Sequence, residues 1–132
     1  MARPEPAVMA GPRIAVWWIG DGPSDEEMLE TVRLHVAAEL GVTATLHRPA
    51  ERPVGTVDAR RGQHSSREML RWLVALAPAD GTRVLGITNV DLFIPILTFV
   101  FGEAQLEGRA AVVSFARLVE PGDRARTTWR LA

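Results

Sequence analysis

Hydrophobic and polar positions in the first third of the chain change from a strand-like to a helix-like pattern and back. A continuous apolar run at Ile14–Ile19 predicts a strand that is covered on both faces. Between Ser24 and Gly41, apolar residues recur with the spacing of one helical face, and glycine is a typical stop for such a helix. These apolar positions are Leu29, Val32, Val36 and Leu40. Apolar and polar residues alternate at Val42–His47, so the pattern indicates a strand-helix-strand unit.

Two serine residues are expected to begin the helices. Ser24 and Glu27 have the spacing of a capping box, in which hydroxyl and carboxylate each accept a backbone N–H of the other residue. Ser65 and Glu68 repeat this spacing, with Ser66 as a competing cap. The second helix has an apolar face and should end near Pro78 and Gly81. Its apolar positions are Met69, Leu70, Leu73, Leu76 and Ala77.

Residues 48–63, between the two predicted units, are rich in proline, glycine and charge. We interpret this segment as an extended surface connection rather than a ligand-binding loop.

Three further apolar runs follow the second helix and predict strands at Val84–Thr88, Thr98–Ala104 and Ala110–Phe115. The second of these is broken by Gly102. The last two runs are separated by the turn-like Gln105–Gly108, which favours a β-hairpin. Asp91–Pro95 is predicted to be a connection that crosses the sheet, because Pro95 cannot donate a hydrogen bond within a ladder.

Composition favours one α/β domain and gives no sign of a nucleic-acid or membrane partner. The chain has 132 residues, 47% of them hydrophobic, a formal net charge of -1 and no cysteine. No run approaches the ~20 apolar residues that cross a bilayer, and Met1–Pro12 lacks the apolar core of a secretory signal. We therefore expect a cytoplasmic protein with a flexible leader at 1–12, an α/β domain at 13–118 and an irregular tail at 119–132.

Several short strings in the second half resemble one protein family. They are Gly86-Ile87-Thr88, Asp91-Leu92-Phe93, Phe99-Val100-Phe101-Gly102-Glu103-Ala104 and Ser114 to Arg117-Leu118. Upstream, Gln63 precedes a hydroxyl-rich turn before a helix. Together they resemble the archaemetzincins, zinc-dependent metallopeptidases of the metzincin clan. Thr98 departs from the pattern, where asparagine is expected.

The resemblance implies a twisted, mixed five-stranded sheet with two helices. In the metzincins the strand order is 2-1-3-5-4, and strand 4 is the sole antiparallel strand, at the sheet edge. The resemblance places Thr98–Ala104 there and implies that Phe101, Gly102, Glu103 and Ala104 hold an extended peptide substrate. Glu103 could then meet a substrate amide or amino terminus, and Gly102 would allow close approach of another backbone. The alternative is a hydrophobic strand on which Glu103 acts only as a charge against edge-to-edge aggregation.

The zinc motif of the family is absent from the 132 residues. A metallopeptidase of this clan needs His-Glu-x-x-His on a helix, with two histidine ligands and a glutamate general base. The three histidines here are His35 in the first helix, His47 in or after the second strand and His64 in a turn, and none has that spacing. We interpret them as surface or capping residues. The expectation is a chain with no catalytic residue and no bound metal, inactive by itself, although the intact family requires zinc.

Two explanations fit the missing motif: an interrupted or frame-shifted gene, or a shortened relative that kept the peptide-binding sheet. The second corresponds to the alternative function, a non-catalytic peptide- or protein-binding module that uses the edge strand. Without its active-site helix, the sheet would expose one face, which favours self-association or a complementary carboxy-terminal half as partner.

Two other candidate sites are judged unpromising. Asp91 follows a strand but has no evident partner in the sequence, so we expect it to cap the Asp-Leu-Phe turn. Gly20-Asp21-Gly22 lacks the third glycine of a dinucleotide fingerprint, and acidic residues follow it, which argues against phosphate. A small-molecule-binding function would require a closed apolar pocket near Gly20–Gly22 and Asp91.

Overall fold

A computed structural model describes residues 11–48, 57–78, 80–105 and 108–118. The expected leader, apart from its last two residues, and the expected tail lie outside the described residues.

The described residues form nine strands and two helices. The strands of the main sheet are β1 (Arg13–Trp18), β2 (Thr43–His47), β5 (Arg83–Thr88), β8 (Gly102–Ala104) and β9 (Ala110–Ser114). The strands of the second sheet are β3 (Val57–Asp58), β4 (Gln63–Ser65), β6 (Leu92–Ile94) and β7 (Leu97–Val100). The helices are α1 (Glu26–Leu40) and α2 (Ser66–Leu76). No helix among these residues is long and apolar enough to cross a bilayer.

The main sheet has the strand order β2-β1-β5-β9-β8. The first four of these strands are mutually parallel, and β8 pairs antiparallel with β9 at the edge. In order of appearance within this sheet, that is 2-1-3-5-4 with one antiparallel edge strand. The architecture that the resemblance implied is therefore confirmed.

The second sheet, with the order β3-β4-β6-β7, corrects three predictions about connections. Part of the supposed extended loop at 48–63 forms β3 and the start of β4. Leu92–Ile94 is strand β6, and Pro95 and Ile96 form the turn that leads to β7. The predicted strand Thr98–Ala104 is two strands in different sheets, interrupted at Phe101 rather than Gly102. The apolar run cannot show this change of partner, because both halves are strand-like.

The two helices cover opposite faces of the main sheet. Helix α2 packs on the face that carries Val84 and Val112, while α1 packs on the face that carries Val16 and Ile87. Helix α1 presents Met28, Leu29 and Val32 to the sheet, all buried. Helix α2 presents Met69, Leu70 and Leu73, also buried. The continuous apolar runs in β1 and β5 thus reflect strands covered on both sides.

Helix caps follow the predicted chemistry at one helix and not at the other. Ser65 caps α2, and its hydroxyl oxygen accepts the Glu68 N–H at 3.3 Å. The predicted Ser24 cap is wrong: Asp25 caps α1, and its carboxylate accepts the Met28 N–H at 3.0 Å. Neighbouring Ser24 and Asp25 both suit an N-cap, so composition could not choose between them. Gly41 ends α1 in the left-handed region, with φ of 64°, as predicted.

Candidate substrate-binding edge

Strand β8 pairs with β9 on one side, and no other described strand lies on its other side. The Phe101 carbonyl accepts the Ser114 N–H at 2.7 Å, and the Gln105 N–H donates to the Ala110 carbonyl at 3.1 Å. Because successive residues of an antiparallel strand bond to opposite sides, the N–H and C=O groups of Gly102 and Ala104 point away from β9. These groups provide the hydrogen-bonding positions that an additional strand would use.

Residues of β8 divide between the two faces of the sheet. Gly102 lies opposite Val113 and Ala104 opposite Ala111, whereas Glu103 lies opposite Val112. Directly opposed residues share a face. Val112 packs in the core under α2 and Val113 packs on the α1 side. Glu103 therefore faces α2, while the two small residues of β8 face the α1 side.

The α1 side of the sheet is open beside β8 and β9. A trough of about 520 Å³ lies there. It is lined by Phe101, Gly102, Glu103, Ala104, Ala111, Val112, Val113, Ser114 and Leu118. A second depression of about 270 Å³ shares Ala104 and Ala111 with it and reaches Leu40 of α1, which is 62% exposed. Helix α1 thus covers only part of this face in the described residues.

Gly102 is required by its neighbours within the sheet. A Cβ atom at this position would lie 2.5 Å from the Val112 carbonyl oxygen and 3.1 Å from Val113 Cγ1. A side chain here would therefore press against β9. This contact is a structural reason for glycine at position 102, in addition to the expected close approach of a substrate backbone.

The Glu103 side chain is held by the start of α2. One carboxylate oxygen accepts a hydrogen bond from the fully buried Ser66 hydroxyl, and the other lies 3.2 Å from Arg67 Nε. Ser66 Oγ also lies 3.3 Å from the Phe93 carbonyl oxygen. The sequence pattern does not indicate either partner, because they precede Glu103 by 37 and 36 positions.

Asp91 has three polar contacts that the sequence did not reveal. Arg117 Nε and Nη2 donate to its two carboxylate oxygens at 2.9 and 2.8 Å, and Gln63 Nε2 donates at 2.9 Å. The expectation that Asp91 lacks a partner and serves as a turn cap is therefore corrected. The Arg117 hydrogen bond lowers the pKa of the Asp91 carboxyl, and Gln63 adds to this effect, while partial burial opposes it.

Cation–aromatic contacts connect this pair to the segment that precedes the edge. The Arg117 guanidinium carbon lies 4.0 Å from the centre of the Phe99 ring, which meets Phe101 edge-on with ring centres 5.2 Å apart. Arg61 lies 4.1 Å above the Phe93 ring and donates to the Leu97 carbonyl at 2.8 Å. Contacts of this kind fix β7 and Phe101 relative to the main sheet.

The histidines lie on three separate elements: His35 on α1, His47 at the end of β2 and His64 in β4. The prediction that His64 lies in a turn is therefore wrong. His47 stacks on Trp17 with ring centres 4.9 Å apart. In the part of the chain that the structure describes, no three His, Asp or Glu side chains come together as a metal site.

Gly20–Gly22 lies beside a separate cleft of about 420 Å³, which Arg48 and Glu26 border as an ion pair. A Cβ atom at Gly20 would lie 2.4 Å from Asn89 Oδ1. The Asn89 amide in turn accepts the Asp21 N–H at 2.7 Å. Close packing against Asn89 thus explains the glycine at position 20, and a phosphate-binding role is not needed to account for it.

Comparison with known sequences identifies relatives of this α/β protein, although no family model matches it. The archaemetzincin of Methanopyrus kandleri is 37% identical over 99 residues, which cover 75% of this chain and 56% of that protein. The archaemetzincin of Methanocaldococcus jannaschii is 34% identical over 106 residues, which cover 80% and 55%, respectively. The chain therefore spans a little over half the length of these curated relatives.

Comparison of folds gives the same result. The crystal structure of the Methanopyrus kandleri archaemetzincin matches with a TM-score of 0.74 and 33% identity, over 92% of this chain and 69% of that chain. The crystal structure of the Archaeoglobus fulgidus archaemetzincin matches with a TM-score of 0.73 and 25% identity, over 90% and 70%. Sequence and fold together confirm the resemblance: the chain belongs to the archaemetzincin family.

Proposed function

We propose that this chain supplies the substrate-binding sheet of an archaemetzincin-type zinc metallopeptidase and that it binds extended peptides at β8. The observation that carries the proposal is the open ladder at Gly102 and Ala104, directly beside the apolar trough. An added strand would gain main-chain hydrogen bonds from the ladder and side-chain contacts from the trough. Family membership supports peptides as the class of ligand.

Hydrolysis is assigned to the intact family and not to this chain alone. The family chemistry requires a zinc ion to activate water, and the ligand pattern for it is absent from the 132 residues. The described side chains do not fit such a site, since no three His, Asp or Glu residues among them come together. We therefore assign this chain the binding of peptide and no step of bond cleavage.

A proline at the open edge tests the binding function. Ala104→Pro removes an outward N–H without removing a bond to β9, whereas Ala104→Val keeps that N–H and serves as the matched control. Binding of a blocked, alternating apolar–polar heptapeptide would be measured by calorimetry. We expect Ala104→Pro to weaken binding by about tenfold, since the lost hydrogen bond and the proline ring both oppose strand addition. Equal affinities for the two variants would contradict the proposal.

The second candidate function is a non-catalytic peptide-binding module. It is favoured by the edge and trough, whose lining residues among the described part of the chain all belong to this polypeptide. Complementation distinguishes the two functions: the part of the Methanopyrus kandleri relative that this chain does not match would be expressed separately and mixed with it. Zinc-dependent peptide hydrolysis by the mixture, and by neither part alone, supports the enzyme function and a complementary half as partner. Peptide binding without hydrolysis in the mixture supports the binding module.

A further inference from the structure

Arg67 holds unused hydrogen-bond donors beside the open edge. Its Nε donates to Glu103, while its two terminal nitrogens make no hydrogen bond to any other described residue. The side chain is 61% exposed. Glu103, by contrast, is largely covered, and both of its carboxylate oxygens are occupied, one by Ser66 and one by Arg67. The group that the edge presents to an incoming ligand on the α2 side is therefore a guanidinium rather than a carboxylate.

The alternation of the sheet fixes which ligand residue would meet this guanidinium. A peptide strand paired with β8 places one residue directly opposite Glu103, on the α2 side, with Cβ atoms about 5 Å apart. The residues before and after it lie beside Gly102 and Ala104, on the side of the apolar trough. A bound strand is thus expected to alternate: apolar, polar, apolar.

We propose that Arg67 selects an acidic side chain at the ligand position opposite Glu103. Arg67 is the specificity-determining residue, and Glu103 is a positioning residue that holds the guanidinium at the edge. A carboxylate accepts charge-assisted hydrogen bonds from the free terminal nitrogens. A cationic ligand residue would instead compete with Arg67 for Glu103 and meet a like charge. This inference rests on the proposed peptide-binding edge.

The test uses the full chain and three blocked heptapeptides that differ only in the central residue, which is Glu, Gln or Lys. Apolar residues flank this position in all three. We expect the Glu peptide to bind about fivefold more tightly than the Gln peptide, the size of an exposed ion pair, and the Lys peptide to bind most weakly. Arg67→Gln should abolish the difference in affinity between the Glu and Gln peptides.

Two variants separate selection from general effects of charge and structure. Arg71→Gln removes the same charge from the same helix, at a side chain that is 72% exposed and paired with Glu68, and should preserve the preference for Glu. Glu103→Gln should reduce that preference without abolishing binding of the Gln peptide, because the guanidinium loses its anchor.

The outcomes distinguish this inference from the function on which it rests. Failure of all three peptides to bind would overturn the binding function itself. Equal binding of all three peptides would overturn selection by Arg67, while the proposal that β8 binds peptides would stand. Tighter binding of the Lys peptide would assign selection to the Glu103 carboxylate and overturn the inference.

Discussion

Arg117 meets Asp91 with two hydrogen bonds, of 2.9 and 2.8 Å, across 26 positions of sequence. The pair joins the segment that follows β9 to the start of β6, and Arg117 also lies over the Phe99 ring. Two hydrogen bonds between one guanidinium and one carboxylate fix the relative orientation of the two groups as well as the distance between them. The pair therefore sets where the chain leaves the main sheet, next to the candidate binding edge.

Removal of the Asp91 charge should destabilise the protein measurably. Asp91→Asn loses the charge assistance of two hydrogen bonds in a half-buried setting, so we expect the free energy of unfolding to fall by about 1 kcal/mol at neutral pH. Urea unfolding, followed by tryptophan fluorescence, would measure the change. Glu68→Gln, which affects the more exposed pair with Arg71, is the control and should have a smaller effect. An Asp91→Asn midpoint equal to that of the control would contradict a special role for this pair.

The same carboxyl should contribute to acid sensitivity. Its pKa is lowered in the folded state by Arg117, so its stabilising effect is present above the unfolded pKa of about 3.9 and is lost as pH falls through the folded pKa. The difference in unfolding free energy between the parent and Asp91→Asn should therefore shrink below about pH 4. Unfolding measured across a pH series checks this. If the difference in unfolding free energy instead grew on acidification, the lowered pKa of Asp91 in the folded state would be contradicted.

The sequence predicts the main sheet well because its signals are local. The buried strand at Ile14–Ile19, the glycine that ends α1 and the Ser65 cap each depend on residues within a few positions of one another. The order of the strands came from the family resemblance, since periodicity alone permits several orders.

Features that depend on distant residues were not predictable in this way. The division of Thr98–Ala104 between two sheets depends on which strands lie beside each half, and the apolar pattern is the same for both. The partners of Asp91 and Glu103 lie 26 or more positions away. A lone carboxylate in a sequence does not indicate such a partner. The hydrogen bonds and ion pairs of Asp91 and Glu103 are therefore visible only in the folded structure.

Gly102 should not tolerate even the smallest side chain. Gly102→Ala would place Cβ 2.5 Å from the Val112 carbonyl oxygen, a backbone atom that cannot move without disturbing β9. We expect a loss of about 1–3 kcal/mol in the free energy of unfolding, typical of overpacking. Thermal and urea unfolding would measure it. Ala104→Val, at an exposed position two residues later, is the control and should change stability little.

The open trough on the α1 side should promote self-association. Apolar side chains beside an unpaired strand edge are a typical contact surface. Ala111, which lies in both depressions of this face, is the most informative position: Ala111→Glu places a charge there and should shift the protein toward monomer. Sedimentation velocity over a range of concentrations would show it. Leu34→Glu, at an exposed position on α1, is the control, and an equal effect of both variants would argue against the trough as the contact.

Zinc should not change the thermal stability of this chain when no other polypeptide is present. The 132 residues lack the His-Glu-x-x-His spacing, and no three His, Asp or Glu side chains of the described residues come together as a metal site. We therefore expect no shift in the unfolding midpoint when zinc is added or when a chelator is added, because a ligand stabilises a protein only if it binds the folded state. Thermal unfolding with and without zinc, together with native mass spectrometry, would test this. A stoichiometric zinc adduct that raises the midpoint and disappears in His47→Ala or His64→Ala would reveal a metal site and overturn the assignment of the chain as a binding sheet without its own metal.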